Sequence, residues 1–260
     1  MYNLREPLSQ VLSFSFIVNI FLLSVLGLFI VNPDKALYIL SNLRNIFNFK
    51  KTSYLNTYPP YYWHKINQFT KLPQSESDII MLGDSITDEG EWIELLSNIN
   101  VKNRGISGDT IERILYRLET ILSTKPKQIF LMIGINDLIN AHKSVAQTLD
   151  SYEEILREFR EKIPNTKIFL QSILPVNNTI YLYWQDNNNI LKLNLGLREL
   201  ATKYNYEYID LFSHLLDSEQ QLDARYTKDG VHLNGEAYLV WKSIIEKYLV
   251  GWNDVNIPGD

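Results

Sequence analysis

Four histidines, no cysteine and a serine placed directly after a short apolar run narrow the chemistry open to this chain. Without cysteine there is no thiolate nucleophile, no disulfide and no thiolate metal site. Ser85 is a poor nucleophile until a base takes its proton, and the base must come from His64, His142, His214 or His232. His232 stands out because it follows Asp229 by three residues in Asp229-Gly230-Val231-His232. A carboxylate at that spacing, on a turn relaxed by Gly230, is able to accept the imidazole Nδ1–H and aim Nε2 at a serine. A tetrahedral intermediate also needs donors for its oxyanion. Candidates are the backbone N–H of Ser85, Gly108, where the missing side chain lets a substrate approach closely, and the side-chain amide of Asn136. Taken singly, each of these residues has an ordinary structural reading: a serine capping a helix, an aspartate capping a turn, a glycine or asparagine in a turn.

The elements that must position them alternate between short apolar runs and amphipathic stripes, the pattern of a parallel sheet covered by helices on both faces. Strands are expected at Ile79–Leu82, Val101–Asn103, Gln128–Ile133, Lys167–Ile173 and Tyr206–Ile209. One helix is expected along Ile111, Ile114, Leu115, Leu118, Ile121 and Leu122. A second follows Tyr152, Ile155, Leu156, Phe159 and Ile163, a third covers Ile190 to Tyr204, and the last runs from about Gly235 to Leu249. Asn187 to Asn189 reads as polar loop, and Tyr54 to Trp63, broken by Pro59-Pro60, as a linker leading into the domain. The expected fold is α/β: a three-layer α/β/α sandwich on a doubly wound, mainly five-stranded parallel sheet, flavodoxin-like in order. In such sheets the crevice lies beyond the carboxyl ends of the strands. Gly83-Asp84-Ser85, Gly105 to Asp109 and Gly134 to Asp137 each follow a strand and should therefore converge on one edge.

Together, GDSIT at Gly83–Thr87, NRGISGD at Asn103–Asp109, GIND at Gly134–Asp137 and DGVHLN at Asp229–Asn234 resemble, in order, the four blocks of the SGNH (GDSL-like) hydrolase superfamily. The resemblance covers roughly Asp78 to Leu249 and is strongest to bacterial acylhydrolases similar to the catalytic subunits of intracellular platelet-activating-factor acetylhydrolase. It implies Ser85 as nucleophile, Asp229 and His232 as the other triad members, and Ser85, Gly108 and Asn136 as the oxyanion hole. The first block reads GDSIT in place of GDSL, a variation that leaves the catalytic positions intact. Asp84 and Asp137 read as structural carboxylates bonding to backbone in the turns that shape the crevice.

Other classes are disfavoured. The net charge of −5 lacks the basic footprint of nucleic-acid binding. No G-x-x-x-x-G-K-[ST] or G-x-G-x-x-G occurs and the histidines are scattered, so neither a cofactor nor a metal is expected. Asp84 with Asp137 is an inferior pair for glycosidase chemistry.

Residues 11–31, VLSFSFIVNIFLLSVLGLFIV, carry no charge and are long enough to cross a hydrocarbon core of about 30 Å as a helix. No small-residue cleavage pattern follows, which favours an anchor over a signal peptide. The expected organisation is a transmembrane anchor at 1–32, a juxtamembrane amphipathic or linker segment at 33–60 and the catalytic domain at 61–252. Arg5 on one side and Lys35, Arg44, Lys50 and Lys51 on the other place the domain in the cytoplasm if the positive-inside rule is taken literally. Long domains are translocated despite such charges, and the reading leans to the outer face.

The function expected is hydrolysis of a small acyl ester, such as an acetyl group on a glycan or a short lipid, through an acyl-enzyme on Ser85. The alternatives are an O-acyltransferase using the same acyl-enzyme and a non-catalytic, membrane-tethered glycan- or lipid-binding protein. Tyr181, Tyr183 and Trp184, in the loop from Asn177 to Asn189, are candidate substrate-stacking residues. Oligomeric state is not legible.

Overall fold

The computed structural model describes residues 58–180 and 184–249. The chain divides into two units between Pro60 and Tyr61, and the second holds the sheet. Among the described residues no helix is long and apolar enough to cross a membrane. The span expected at 11–31 and the segment from 33 to 57 lie outside the described residues.

Five parallel strands, β1 Ile79–Gly83, β2 Val101–Gly105, β3 Gln128–Met132, β4 Lys167–Gln171 and β5 Glu207–Ile209, form one sheet in the order β2-β1-β3-β4-β5. This is the doubly wound order expected from the sequence, with its switch point beside β1. All five residues of β1 and of β3 are buried, as a sheet covered on both faces requires. Gly83 is in register with Gly105 of β2 and with Met132 of β3. The three strands therefore end level, and the loops that follow them leave the sheet on one line.

Nine α-helices are seen among the described residues: α1 Pro60–Lys71, α2 Ser85–Asp88, α3 Trp92–Leu95, α4 Ile111–Arg117, α5 Glu119–Leu122, α6 Ile135–Ile139, α7 Val145–Lys162, α8 Asn187–Tyr204 and α9 Gly235–Ile245. On one face α7 packs between α4 and α8; on the other α9 packs against α3. There the indoles of Trp92 and Trp241 meet edge to face at 4.7 Å, a geometry that favours the ring quadrupoles. Phe130 of β3 and Phe169 of β4 stack at 4.5 Å within the same continuous core.

Four local expectations are corrected. The stripe from Ile111 to Leu122 is two short helices, because the Leu118 N–H turns to the Leu115 carbonyl three residues back and tightens the helix there. Asn187 to Asn189 open α8, where the Asp186 carboxylate caps the Asn188 N–H. Strand β4 stops at Gln171 because the side-chain amide of Asn194 takes over from the ladder, accepting from Ile173 N–H and donating to its carbonyl, both at 2.8 Å. Tyr61 to Trp63, read as linker, lie in α1, whose first residue is Pro60, a position where a proline loses no helical hydrogen bond.

Candidate active site

The turn that carries Ser85 follows from the first strand. β1 ends at Gly83, Asp84 caps α2 by accepting the Ile86 N–H at 3.1 Å, and Ser85 is the first residue of that helix. The Ser85 Oγ lies 2.9 Å from His232 Nε2, across 147 residues of sequence. The other ring nitrogen, Nδ1, lies 2.7 Å from Asp229 Oδ2. With Nδ1 protonated toward the carboxylate, Nε2 carries the lone pair and the serine hydroxyl donates to it.

The Asp229–His232 turn is held from several sides. Asp229 Oδ1 accepts the N–H groups of Val231 and His232, both at 2.9 Å. Burial works against ionisation of Asp229, but the bonds from the His232 ring and these two amides outweigh it and hold the carboxyl below its usual value. Gly230 has φ +91°, and a Cβ there would lie 2.3 Å from the Asn177 carbonyl oxygen. Both facts restrict the position to glycine. Its carbonyl accepts the Asn177 N–H at 2.7 Å, and Thr227 Oγ accepts its N–H at 2.9 Å. Asn234 caps α9 through the Ala237 N–H, and Tyr238 of that helix donates to the Ile86 carbonyl at 2.7 Å. The histidine segment and the nucleophile helix are thereby tied together.

Three candidate donors stand on the loops that follow β1, β2 and β3. The side-chain amide of Asn136 donates one N–H to the Asp109 carbonyl at 2.9 Å, while its oxygen accepts from Asn140 at 2.7 Å. This fixes the amide's orientation and leaves its second N–H for a ligand. Among the described residues the backbone N–H groups of Ser85 and Gly108 have no acceptor. Gly108 has φ +80°, and its carbonyl is held by Arg113 Nη1 at 2.9 Å.

Sequence reasoning missed the groups that fasten these loops to one another. Asp88, three residues after Ser85, receives Lys65 Nζ at 2.6 Å, the Tyr61 hydroxyl at 2.7 Å, and both the N–H and the hydroxyl of Ser107 at 3.1 and 2.9 Å. Burial raises its carboxyl, but these partners overcome the rise and hold it low. The Asn103 amide donates to the carbonyls of Thr87, Asp88 and Gly90 at 3.0, 2.9 and 3.1 Å. Fully buried, Arg117 pairs with Asp109 and donates to the carbonyls of Gly83 and Arg104, clamping the ends of β1 and β2. Asp88 and Asn103 are signalled only by their position beside or within a motif block, and Arg117, eight residues past the second block, carries no such signal.

Asp84 and Asp137 bond to backbone: Asp84 to Ile86, and Asp137 to the Ile111 N–H at 3.0 Å, with Lys143 on its other oxygen. Burial pushes the Asp84 carboxyl up to about 7; the Ile86 N–H opposes the rise and the nearby Asp109 carboxylate adds to it. Tyr181 and Tyr183 lie outside the described residues. Trp184 points its indole N–H at the Asp229 carbonyl, 2.8 Å away, so it braces the histidine turn.

A doubly wound sheet carrying Ser, His and Asp in hydrogen-bonded series at its carboxyl edge defines a serine hydrolase architecture. The comparisons agree. The chain belongs to the GDSL-like Lipase/Acylhydrolase family, whose model matches residues 81–240, and is a carboxylic ester hydrolase. It is 30% identical over 184 residues to an N-acylneuraminate cytidylyltransferase of Escherichia coli, covering 70% of this chain and 42% of that one. It thus spans about two fifths of that relative's length. With platelet-activating factor acetylhydrolase IB subunit alpha2 of Homo sapiens it shares 29% identity over 172 residues, 63% of this chain and 72% of the relative. A solved structure described as a platelet activating factor from Streptococcus pneumonia superposes with a TM-score of 0.65 at 28% identity, covering 81% of this chain and 98% of that chain.

Proposed function

We propose that the protein is a membrane-anchored esterase that removes a small acyl group, foremost acetyl, through an acyl-enzyme on Ser85. The observation that carries this reading is the series Ser85 Oγ, His232 Nε2, His232 Nδ1 and Asp229 Oδ2, with contacts of 2.9 and 2.7 Å. His232 takes the serine proton as Oγ attacks the ester carbonyl, and Asp229 stabilises the imidazolium that forms. The N–H groups of Ser85 and Gly108 and the free N–H of Asn136 receive the oxyanion. On collapse, His232 returns the proton to the departing alcohol. Water, activated by the same imidazole, then releases the acid and regenerates Ser85. The acetyl preference rests on relatives that bear the name acetylhydrolase.

The anchor rests on the uncharged residues 11–31, held by apolar transfer and not by charge, with the catalytic domain on the outer face. The test is a chain-length series of p-nitrophenyl esters offered to the full-length protein, combined with fractionation. Acetate should be cleaved fastest, and the protein should stay with membranes in high salt and be cut by protease added to sealed cells. Faster cleavage of long acyl chains would overturn the acetyl preference, recovery in the soluble fraction the anchor, and protection from protease the orientation.

A further inference from the structure

One carboxylate at the site has no part in the mechanism above. Glu89 Oε1 lies 4.0 Å from His232 Nε2, the nitrogen that also faces Ser85 Oγ. Among the described residues no lysine or arginine lies within ion-pairing distance of it, whereas neighbouring Asp88 is met by Lys65. Its side chain is 46% exposed, but its backbone is fixed. The Glu89 N–H donates to the Ser85 carbonyl at 2.9 Å, and the carbonyls on both sides of it, those of Asp88 and Gly90, accept from Asn103. On the neighbouring loop, Arg113 donates to the Gly108 carbonyl at 2.9 Å.

Nε2 must hand its proton to the departing oxygen, so that oxygen comes within hydrogen-bond reach of Nε2. As the C–O bond breaks, the proton that left Ser85 Oγ moves from Nε2 to the alcohol oxygen, and the acyl group stays on Oγ. Any charge carried by the alcohol close to the ester then stands within several ångströms of the Glu89 carboxylate. Building on the esterase reading, we propose that Glu89 is a specificity-determining residue that selects the leaving alcohol. It favours hydroxyl-rich neutral alcohols, whose hydroxyls donate to it, and cationic ones, and it disfavours alcohols bearing a phosphate or carboxylate next to the ester. The substrate class is thus an acyl ester whose alcohol carries no negative charge beside the ester: a neutral polyhydroxylated alcohol, such as a sugar, or a cationic one.

The test compares kcat/KM for 4-acetamidophenyl acetate, 3-acetoxybenzoate and 3-acetoxyphenyltrimethylammonium, using wild type, Glu89→Gln and Glu89→Lys. All three esters give the same acetyl-enzyme, so differences report the leaving group. In Glu89→Gln the ratio of neutral to anionic ester should fall on the order of 3–10-fold, the size of a solvent-screened interaction between unit charges a few ångströms apart. Glu89→Lys should lower it further, and the cationic preference should shrink in the same order. In wild type, added salt should shrink both preferences. Ratios that do not move, whether because all three esters change in parallel or because none does, overturn the proposal. Absence of turnover on every ester by wild type would instead overturn the esterase reading, and the selectivity with it.

Discussion

The indole N–H of Trp184 donates to the backbone carbonyl of Asp229 at 2.8 Å, linking the loop after β4 to the residue that orients the catalytic imidazole. The bond ties this candidate substrate-stacking aromatic to the frame of the triad through the edge of its ring. Trp184→Phe keeps an aromatic ring, though a smaller one, and removes the donor, which is worth roughly 1 kcal/mol. In assays on an acetate ester kcat should fall on the order of 3–10-fold with KM little changed. A rise in KM with kcat intact would return Trp184 to the substrate-stacking role.

In the proposed mechanism Asn136 donates to the oxyanion, so Asn136→Ala should lower kcat on the order of 10²–10³-fold and leave KM nearly unchanged. Because the Asn136 amide also holds the Asp109 carbonyl, the folded state should be checked by near-UV circular dichroism. A change in KM alone would make Asn136 a binding or turn residue.

Asp88 joins α1, through Tyr61 and Lys65, to the Ser107 that precedes Gly108. Asp88→Ala leaves Lys65 and the Ser107 amide without their acceptor, and urea unfolding should show a loss of roughly 1–3 kcal/mol. Since the Gly108 loop loses its tie to the nucleophile helix, kcat should fall as well. Full stability and full activity would show that the network is dispensable.

Asp84 makes stability depend on pH. Its folded pKa is raised from the ordinary 3.8 to about 7, chiefly by burial, so between those values the folded chain holds a proton that the unfolded chain has lost. This contribution is fully present below about 4 and is lost as pH rises through about 7. Asp84→Asn keeps the cap acceptor and removes the titration. The stability of the variant minus that of wild type, from urea unfolding, should therefore rise with pH by a few kcal/mol between pH 4 and 8. A difference that is flat with pH would contradict the burial argument.

Much of the fold is legible in the sequence because a doubly wound sheet writes itself locally. Runs such as Ile79 to Leu82 are buried on both faces, and the stripe from Tyr152 to Phe159 has one apolar side. What is not legible depends on partners far along the chain. Nothing near Ile173 announces that Asn194 will end β4, and the Leu115 to Leu118 turn carries no glycine or proline to mark it. At the site, Ser85, Gly108, Asn136, Asp229 and His232 are visible as motif positions, and the structure brings Ser85, His232 and Asp229 into one hydrogen-bonded series. Asp88, Asn103 and Arg117 act through tertiary contacts with other blocks, so their place in the frame needs coordinates. Glu89 needs them too, since only the fold brings it to the imidazole.

The central claim is that Ser85 is the nucleophile activated by His232, and covalent capture tests it most directly. Wild-type protein treated with a fluorophosphonate and digested with protease should show, by mass spectrometry, one adduct on the peptide carrying Ser85. Labelling should vanish in Ser85→Ala and slow strongly in His232→Ala, while both variants keep the wild-type fold by circular dichroism. An adduct on another residue, or esterase turnover retained in Ser85→Ala, would contradict the account.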